Sequence, residues 1–242
     1  MNSDNFLIYG KRAVYEALEK DVEISKVFLQ KNNSYLDNIK SKIQKKNIQV
    51  SFVPVEKLNR LTKNNHQGIV ATISPVSTLD FDDLENKLKT TNSLLILVLD
   101  GITDTKNFGA IIRSAECFDV DLIIIPKTGS STINGETIKS SSGAIFNIPI
   151  CKVNHVKDAI FLLKENEINL VGTSDKGSES LYKHTFNSRT ALIVGSEGKG
   201  VNKSVLKLCD QVVSIVMHGR VSSLNVSVAT GIFLSEFRRQ LN

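Results

Sequence analysis

A chain of 242 residues that is 41% hydrophobic and 23% charged is long enough for one large soluble domain or two smaller ones. A net charge of +5 and a pI near 9.0 are compatible with a nucleic-acid partner without requiring one. With no Trp and only four Tyr, an extended surface of stacked aromatics is not expected. Cys117, Cys151 and Cys209 form no CxxC pair and lie near no His at ligand spacing, so no structural metal site is expected and a reducing cytoplasm is. No window approaches the roughly 20 apolar residues needed to cross a bilayer. The first stretch, "MNSDNFLIYGKRAVYEALEK", has an apolar run of only four residues followed at once by charges, which is not the shape of a signal peptide.

In chain order, "FLIY" predicts a short strand, and "GKRAVYEAL" sets Ala13, Val14, Ala17 and Leu18 on one helical face. "KVFL" reads as a strand, "YLDNIKSKIQKK" as a helix with a solvated lysine face, and "IQVSFV" as a strand. "VEKLNRL" reads as a short helix and "GIVATI" as another strand. This alternation describes a small α/β domain over residues 1–76. The polar, acidic stretch 77–92 reads as a linker. Residues 1–80 carry 12 Lys/Arg against 8 Asp/Glu, so the first region is the more basic for its length.

Residues 93–242 restart the alternation as a second domain. "LLILVLD" is a continuous apolar run of the kind buried on both faces of a parallel sheet. A helix over "FGAIIRSAECF", a strand over "DLIIIP" and a helix over "KDAIFLLKEN" follow. "INLVGT", "TALIVG" and "QVVSIVM" read as further strands, and a last helix runs from about Ser222 to Leu241. The expected class is α/β, a parallel sheet with helices on both faces.

Ligands in such sheets bind beyond the carboxyl ends of the strands, and three loops there are rich in small and polar residues. In the first, Asn107 can cap the helix that follows, and Arg113 lies six residues further on. Read by itself, this loop favours a plain cap and a solvent-facing Arg; an inward Arg would need an anionic or hydrogen-bonding partner. In the second, "GSEGKG", Gly195, Gly198 and Gly200 free the backbone around Glu197, either as a tight turn or as a pocket wall; it is neither GxGxxG nor a P-loop. In the third, Ser222 or Ser223 can cap the last helix, which leaves Asn225 unexplained. Burying Asn225 unpaired would cost about 1–3 kcal/mol.

Together "NFGAIIR", "GSEGKG" and "SSLNVSVATG" resemble, in order and spacing, the three signature motifs of the SpoU-type RNA ribose 2′-O-methyltransferases of the SPOUT superfamily. "YGKRAVYEAL" and "HQGIVA" are similar to that family's small substrate-binding domain. The resemblance implies a catalytic domain whose C-terminal segment threads a deep trefoil knot, S-adenosyl-L-methionine as cofactor, no metal, and a homodimer whose sites are each completed by the neighbouring subunit. It implies 2′-O-methylation of a ribose, with a guanosine of 23S rRNA as the nearest likeness. Motif by motif it places Asn107, Arg113, Glu197, Ser223 and Asn225 in catalysis. Cofactor contacts would fall on Gly195, on Ile215 and Met217 in the strand before the last helix, on Leu224, and on Thr173 at the methionine end.

The chain departs from the family pattern at Thr105 and Val216, where Pro is common, and at Asp119, where Gly is common. His218 and Arg220 stand where small residues are usual. A methyltransferase of the same family acting on tRNA is the first rival, and a catalytically silent RNA-binding assembly or resistance factor the second. The compact basic first domain favours rRNA over tRNA. Retention of the five catalytic candidates argues against a silent scaffold.

Overall fold

The computed structural model describes residues 6–89 and 93–241. By internal contacts the chain divides into two compact units, Met1–Ser77 with Thr132–Asn147, and Thr78–Ser131 with Ile148–Asn242.

The first unit opens with β1 (Phe6–Tyr9), α1 (Lys11–Glu19), β2 (Ile24–Gln30), α2 (Asp37–Lys45), β3 (Val50–Val53), α3 (Val55–Leu61) and β4 (Ile69–Ile73). The sheet order is β1-β4-β2-β3, with β4 antiparallel to both neighbours and β3 parallel to β2. Strand alternation divides the apolar residues between two faces. Tyr9, Val70 and Phe28 pack with Leu58 of α3, and Val27 and Leu29 are fully buried. His66, in the turn before β4, is structural: Gly68 N–H donates to its Nδ1 at 3.0 Å, and its Nε2 lies 2.9 Å from Asn59 Oδ1. That pattern suits the neutral ring, and burial pushes its pKa down.

The second unit begins with α4 (Phe81–Leu88), inside the stretch that reads as a linker. Asp80 and Asp83 form a reciprocal capping box at its start, and Leu84 and Leu88 on one face are buried in the unit's core. Residues 90–92 of that stretch lie outside the described residues. β5 (Leu94–Asp100), α5 (Thr105–Cys117) and β6 (Leu122–Pro126) follow. The chain then enters α6 (Gly135–Ser140), which belongs to the first unit although the sequence reading gave all of 93–242 to one domain. β7 (Ile150–Val153), α7 (Val156–Glu165), β8 (Asn169–Thr173), β9 (Glu179–Ser180), β10 (Arg189–Gly195), α8 (Lys203–Leu206), β11 (Gln211–Ser214) and α9 (Val226–Leu241) complete the unit.

Its seven-stranded sheet has the order β7-β6-β5-β10-β8-β11-β9, and every pairing is parallel. Ile96 and Val98 of β5 point to the face covered by α4, α7 and α8; Leu95, Leu97 and Leu99 therefore point to the opposite face. There α5 and α9 pack on each other, close enough that a Cβ built on Gly231 would sit 3.8 Å from Ser114 Oγ. At the far end Arg238 of α9 caps α5: its Nε donates to Phe118 O at 2.7 Å, and its Nη2 donates to Asp119 O and lies 3.5 Å from the Asp119 carboxylate. Asp119 holds φ +53, the left-handed region in which Gly is at ease.

Two boundaries differ from the sequence reading. β11 ends at Ser214, where β9, its last ladder partner, also ends, so Ile215 and Met217 follow the strand rather than belong to it. The last helix starts at Val226, four residues later than its apolar pattern suggests.

Candidate functional site

The carboxyl ends of the parallel strands meet at one edge. The register sets Gly195 of β10 beside Asp100 of β5, Ile193 beside Gly172 of β8, and Val213 of β11 beside Thr173. Thr173, Gly195 and Ile215 therefore sit at or just past the ends of three adjacent strands. A cleft of about 590 Å³ opens at this edge, lined in part by Asp100, Ile102, Asn107, Gly129, Glu197 and Val226.

Each polar wall of the cleft follows from local structure. The cap of α5 is Asp104, whose Oδ1 accepts the Asn107 N–H at 2.7 Å. Asn107 is thus inside the first turn instead of being the cap, and its side chain is free to leave the helix. The turn after β10 closes through Gly200 N–H donating to Ser196 O at 2.8 Å. A Cβ on Gly195 would lie 2.0 Å from the Gly200 carbonyl carbon, so only glycine admits this turn. The turn presents Glu197.

The cap of α9 is Asn225, and neither Ser222 nor Ser223. Asn225 Oδ1 accepts Ser227 N–H at 2.9 Å, Ser227 Oγ–H at 2.6 Å and Val228 N–H at 3.4 Å. The other end of the same amide leaves the helix. Asn225 Nδ2 donates to Glu197 Oε1 at 2.5 Å and to Asn107 Oδ1 at 3.0 Å. Asn107 Nδ2 donates to Glu197 Oε1 at 3.1 Å, and Val226 N–H reaches the same oxygen at 3.4 Å. One carboxylate oxygen, placed at the start of α9 where the helix field favours negative charge, therefore accepts from three groups drawn from two distant segments. Burial does not dictate this arrangement, because Glu197 and Asn225 are exposed.

The remaining candidates are placed differently. Arg113 is exposed and, among the described residues, has no hydrogen-bond or ion-pair partner within the chain. It lies about 9 Å along α5 from Asn107 and about 240° around it, so this chain does not bring its guanidinium to the amide cluster. Ser223 is also exposed, without a partner among the described residues, in the irregular segment between β11 and α9. Thr173 is buried, and its hydroxyl donates to Ile193 O at 3.0 Å, tying β8 to β10. Ile215 and Leu224 are half-buried, while Val216, Met217 and Val221 are exposed at 47%, 36% and 74%. An apolar segment left open beside a strand-end cleft offers the surface a purine ring would cover. The bare turn at Gly195–Gly200 offers backbone at close range. The residues at this edge thus fit S-adenosyl-L-methionine.

Sequence reasoning missed Asp104 as the cap of α5, though Asp three residues before Asn107 is a readable N-cap signal. It also missed Gly129, which lines the cleft from the loop after β6. Among the described residues no group of His, Cys, Asp and Glu could hold a metal ion, and no helix is long and apolar enough to cross a membrane.

Comparison with known proteins agrees with this geometry. Residues 94–235 match the model of the SpoU rRNA Methylase family, and residues 7–79 that of RNA 2′-O ribose methyltransferase substrate binding. The chain is 34% identical over 238 residues to the 23S rRNA (guanosine-2′-O-)-methyltransferase RlmB of Yersinia pestis, covering 97% of each chain. Among solved structures, the AdoMet-bound rRNA methyltransferase of Sinorhizobium meliloti superposes with a TM-score of 0.81 at 25% identity, covering 98% of this chain and 88% of that one. The SpoU methyltransferase AviRb of Streptomyces viridochromogenes shares the fold, with a TM-score of 0.83 at 24% identity and coverage of 98% and 90%. A parallel sheet whose carboxyl edge carries Asn107, Glu197 and Asn225 in one hydrogen-bonded cluster, matched over most of the chain by these two models, places this chain in the SpoU rRNA methylase family.

Proposed function

We propose that this chain is an S-adenosyl-L-methionine-dependent methyltransferase acting on the 2′-oxygen of a ribose in RNA, and that its substrate is a guanosine of 23S rRNA in the cytoplasm. The observation that carries the reading is the convergence of Asn107 and Asn225 on Glu197 at the carboxyl edge of the parallel sheet. Family membership supports the reaction, and the Yersinia pestis relative's substrate supports the choice of nucleotide.

When bound, the cofactor supplies an activated methyl group, so no metal is required. Gly195, Thr173, Ile215, Met217 and Leu224 would hold it at the ends of β8, β10 and β11. A ribose hydroxyl is a weak nucleophile, so positioning and charge stabilisation provide the acceleration. In the proposal Arg113 grips the phosphate next to the target ribose and stabilises the developing alkoxide, while the hydroxyl proton passes to water. A guanidinium is too weak an acid to serve readily as the base. Ser223 orients the ribose, and the Glu197–Asn107–Asn225 cluster fixes the loop and helix start from which Ser223 projects.

Arg113 stands apart from the cluster within one chain, so the proposal includes a homodimer in which Arg113 of the partner subunit serves the site. The knotted path of the carboxyl-terminal segment and the assignment of residues 1–76 to RNA binding belong to the same proposal.

Two measurements test it. Arg113→Ala keeps S-adenosyl-L-methionine affinity within a few-fold and abolishes methyl transfer to 23S rRNA; near-normal turnover refutes the role. Mixing and reassorting Arg113→Ala with Asn225→Ala subunits restores about a quarter of wild-type activity if Arg113 acts across the dimer, because about half of all dimers are then mixed and each of these holds one intact site of its two. No recovery places Arg113 in its own subunit's site.

A further inference from the structure

The first unit has a groove between α1 and α2 of about 420 Å³, lined by Tyr15, Asn38, Ser41, Lys42, Lys45 and Lys46. Tyr35, three residues before Asn38 in the chain, is 84% exposed. Its backbone is fixed: Asn33 Oδ1 accepts the Tyr35 N–H at 3.2 Å, and the adjoining Leu36 is fully buried. Tyr35 therefore offers its ring to solvent from a firm turn and adds nothing to the core. What lies over the ring is Lys11, whose Nζ is 4.9 Å from the ring centroid. One turn along α1, Tyr15 carries Lys42 at 4.7 Å and Arg12 at 5.6 Å.

The charge here is not balanced. Residues 11–21 and 37–46 hold seven cations against four carboxylates. Each carboxylate is already paired: Glu16 with Arg12, Glu19 with Lys42, Asp21 with Lys46 and Asp37 with Lys40. Lys11, Lys20 and Lys45 have no carboxylate partner among the described residues. The lysine run of α2 forms one wall of a groove that also holds Tyr15.

We propose that this groove, together with the Lys11–Tyr35 pair one turn before Tyr15 on α1, holds a single-stranded stretch of the RNA substrate, with phosphates along Lys11 and Lys45 and one unstacked base covering Tyr35. The inference rests on the reading of the substrate as RNA. A base–aromatic stack of ordinary strength is worth about fivefold to about a hundredfold in affinity, and a lysine contact to a single strand contributes about 0.7 to the salt slope. Lys11 shifts from the ring to a phosphate as the base arrives, so the free protein keeps the ring covered by a group the ligand itself attracts.

The test uses the full chain, with fluorescein-labelled 23S rRNA transcript for binding and radiolabelled S-adenosyl-L-methionine for turnover. Tyr35→Ala weakens RNA binding at least about fivefold and raises the KM for RNA in step, with kcat and cofactor affinity unchanged. Tyr35→Phe restores binding to within about twofold, since the ring and not the hydroxyl acts. Lys11→Ala with Lys45→Ala lowers the salt slope by about 1.4. Unchanged binding in Tyr35→Ala, or an unchanged slope in the lysine pair, overturns the inference. If Tyr35-dependent binding is found but wild type transfers no methyl group, the groove stands and the proposed reaction falls. If wild type methylates and Tyr35→Ala keeps its KM, the reaction stands and the groove falls.

Discussion

The two halves of the carboxyl edge are built on opposite terms. On the β5 and β10 side, Asn107 and Glu197 meet Asn225 with polar groups satisfied inside the chain, at 2.5 to 3.1 Å. On the β11 side, the stretch from Ile215 to Leu224 lacks regular structure, exposes Val216, Met217 and Val221, and holds Ser222 and Ser223 without partners among the described residues. The first half is preorganised and costs nothing further to order when a ligand arrives. The second leaves apolar surface uncovered within the chain, where another molecule could bury it. Asn225 is the joint, capping α9 with its oxygen and reaching the organised half with its nitrogen.

The contrast can be broken most severely at Gly195. Gly195→Ala drives a methyl group into the Gly200 backbone 2.0 Å away, so the turn cannot form; calorimetry should show loss of S-adenosyl-L-methionine binding altogether. The next test separates the two ends of Asn225. Asn225→Ala removes the cap and the reach, costing about 1 kcal/mol of stability together with activity. Asn225→Asp keeps an oxygen for the cap but sets a second carboxylate against Glu197, so at neutral pH it melts below wild type and above Asn225→Ala while turnover is lost. Equal melting temperatures for the two variants would show that the cap carries no weight. On the open side, Ser223→Ala should leave chemical denaturation unchanged and depress methyl transfer; a stability loss would mean that the segment is ordered within the chain after all.

The mildest effect concerns pH. Glu236 in α9, bonded first by Arg239 and then by Gln240, has its pKa pulled down to about 2. A depressed carboxylate contributes stability that is complete above the ordinary carboxylate range and is lost as pH falls toward about 2. Glu236→Gln should flatten that acid limb in urea titrations and leave stability at pH 7 to 9 parallel to wild type.

Much of the second unit was legible because its central strands are continuous apolar runs. Leu94–Asp100, Leu122–Pro126 and Arg189–Gly195 need no context to be recognised as buried strands. The helix α4 was not, since its acidic composition resembles a linker and its signal lay in Asp80 and Asp83 flanking the first turn ahead of Leu84 and Leu88. The starts of α5 and α9 were misplaced for one reason: several capping residues stand in a row, and local propensity cannot choose among Asp104 and Asn107, or Ser222, Ser223 and Asn225. The choice is made by Glu197, remote in sequence, whose oxygen draws in the amides of Asn107 and Asn225. The motifs single out Asn107, Glu197 and Asn225, which the fold joins, but not that Arg113 lies apart from them in the same chain, because helical phase is read reliably only where burial enforces it.

The guanidinium of Arg238 on the Phe118 and Asp119 carbonyls has a mechanical consequence. With the amide cluster fastening one end of α5 to α9 and Arg238 fastening the other, the pair behaves as a rigid plank, and neither helix can slide or tilt without the other. Any breathing that admits cofactor and releases product must therefore be taken up by the glycine turn and the untethered span before α9. Relaxation or hydrogen-exchange measurements should find fast opening in those two segments against a slow background in the plank.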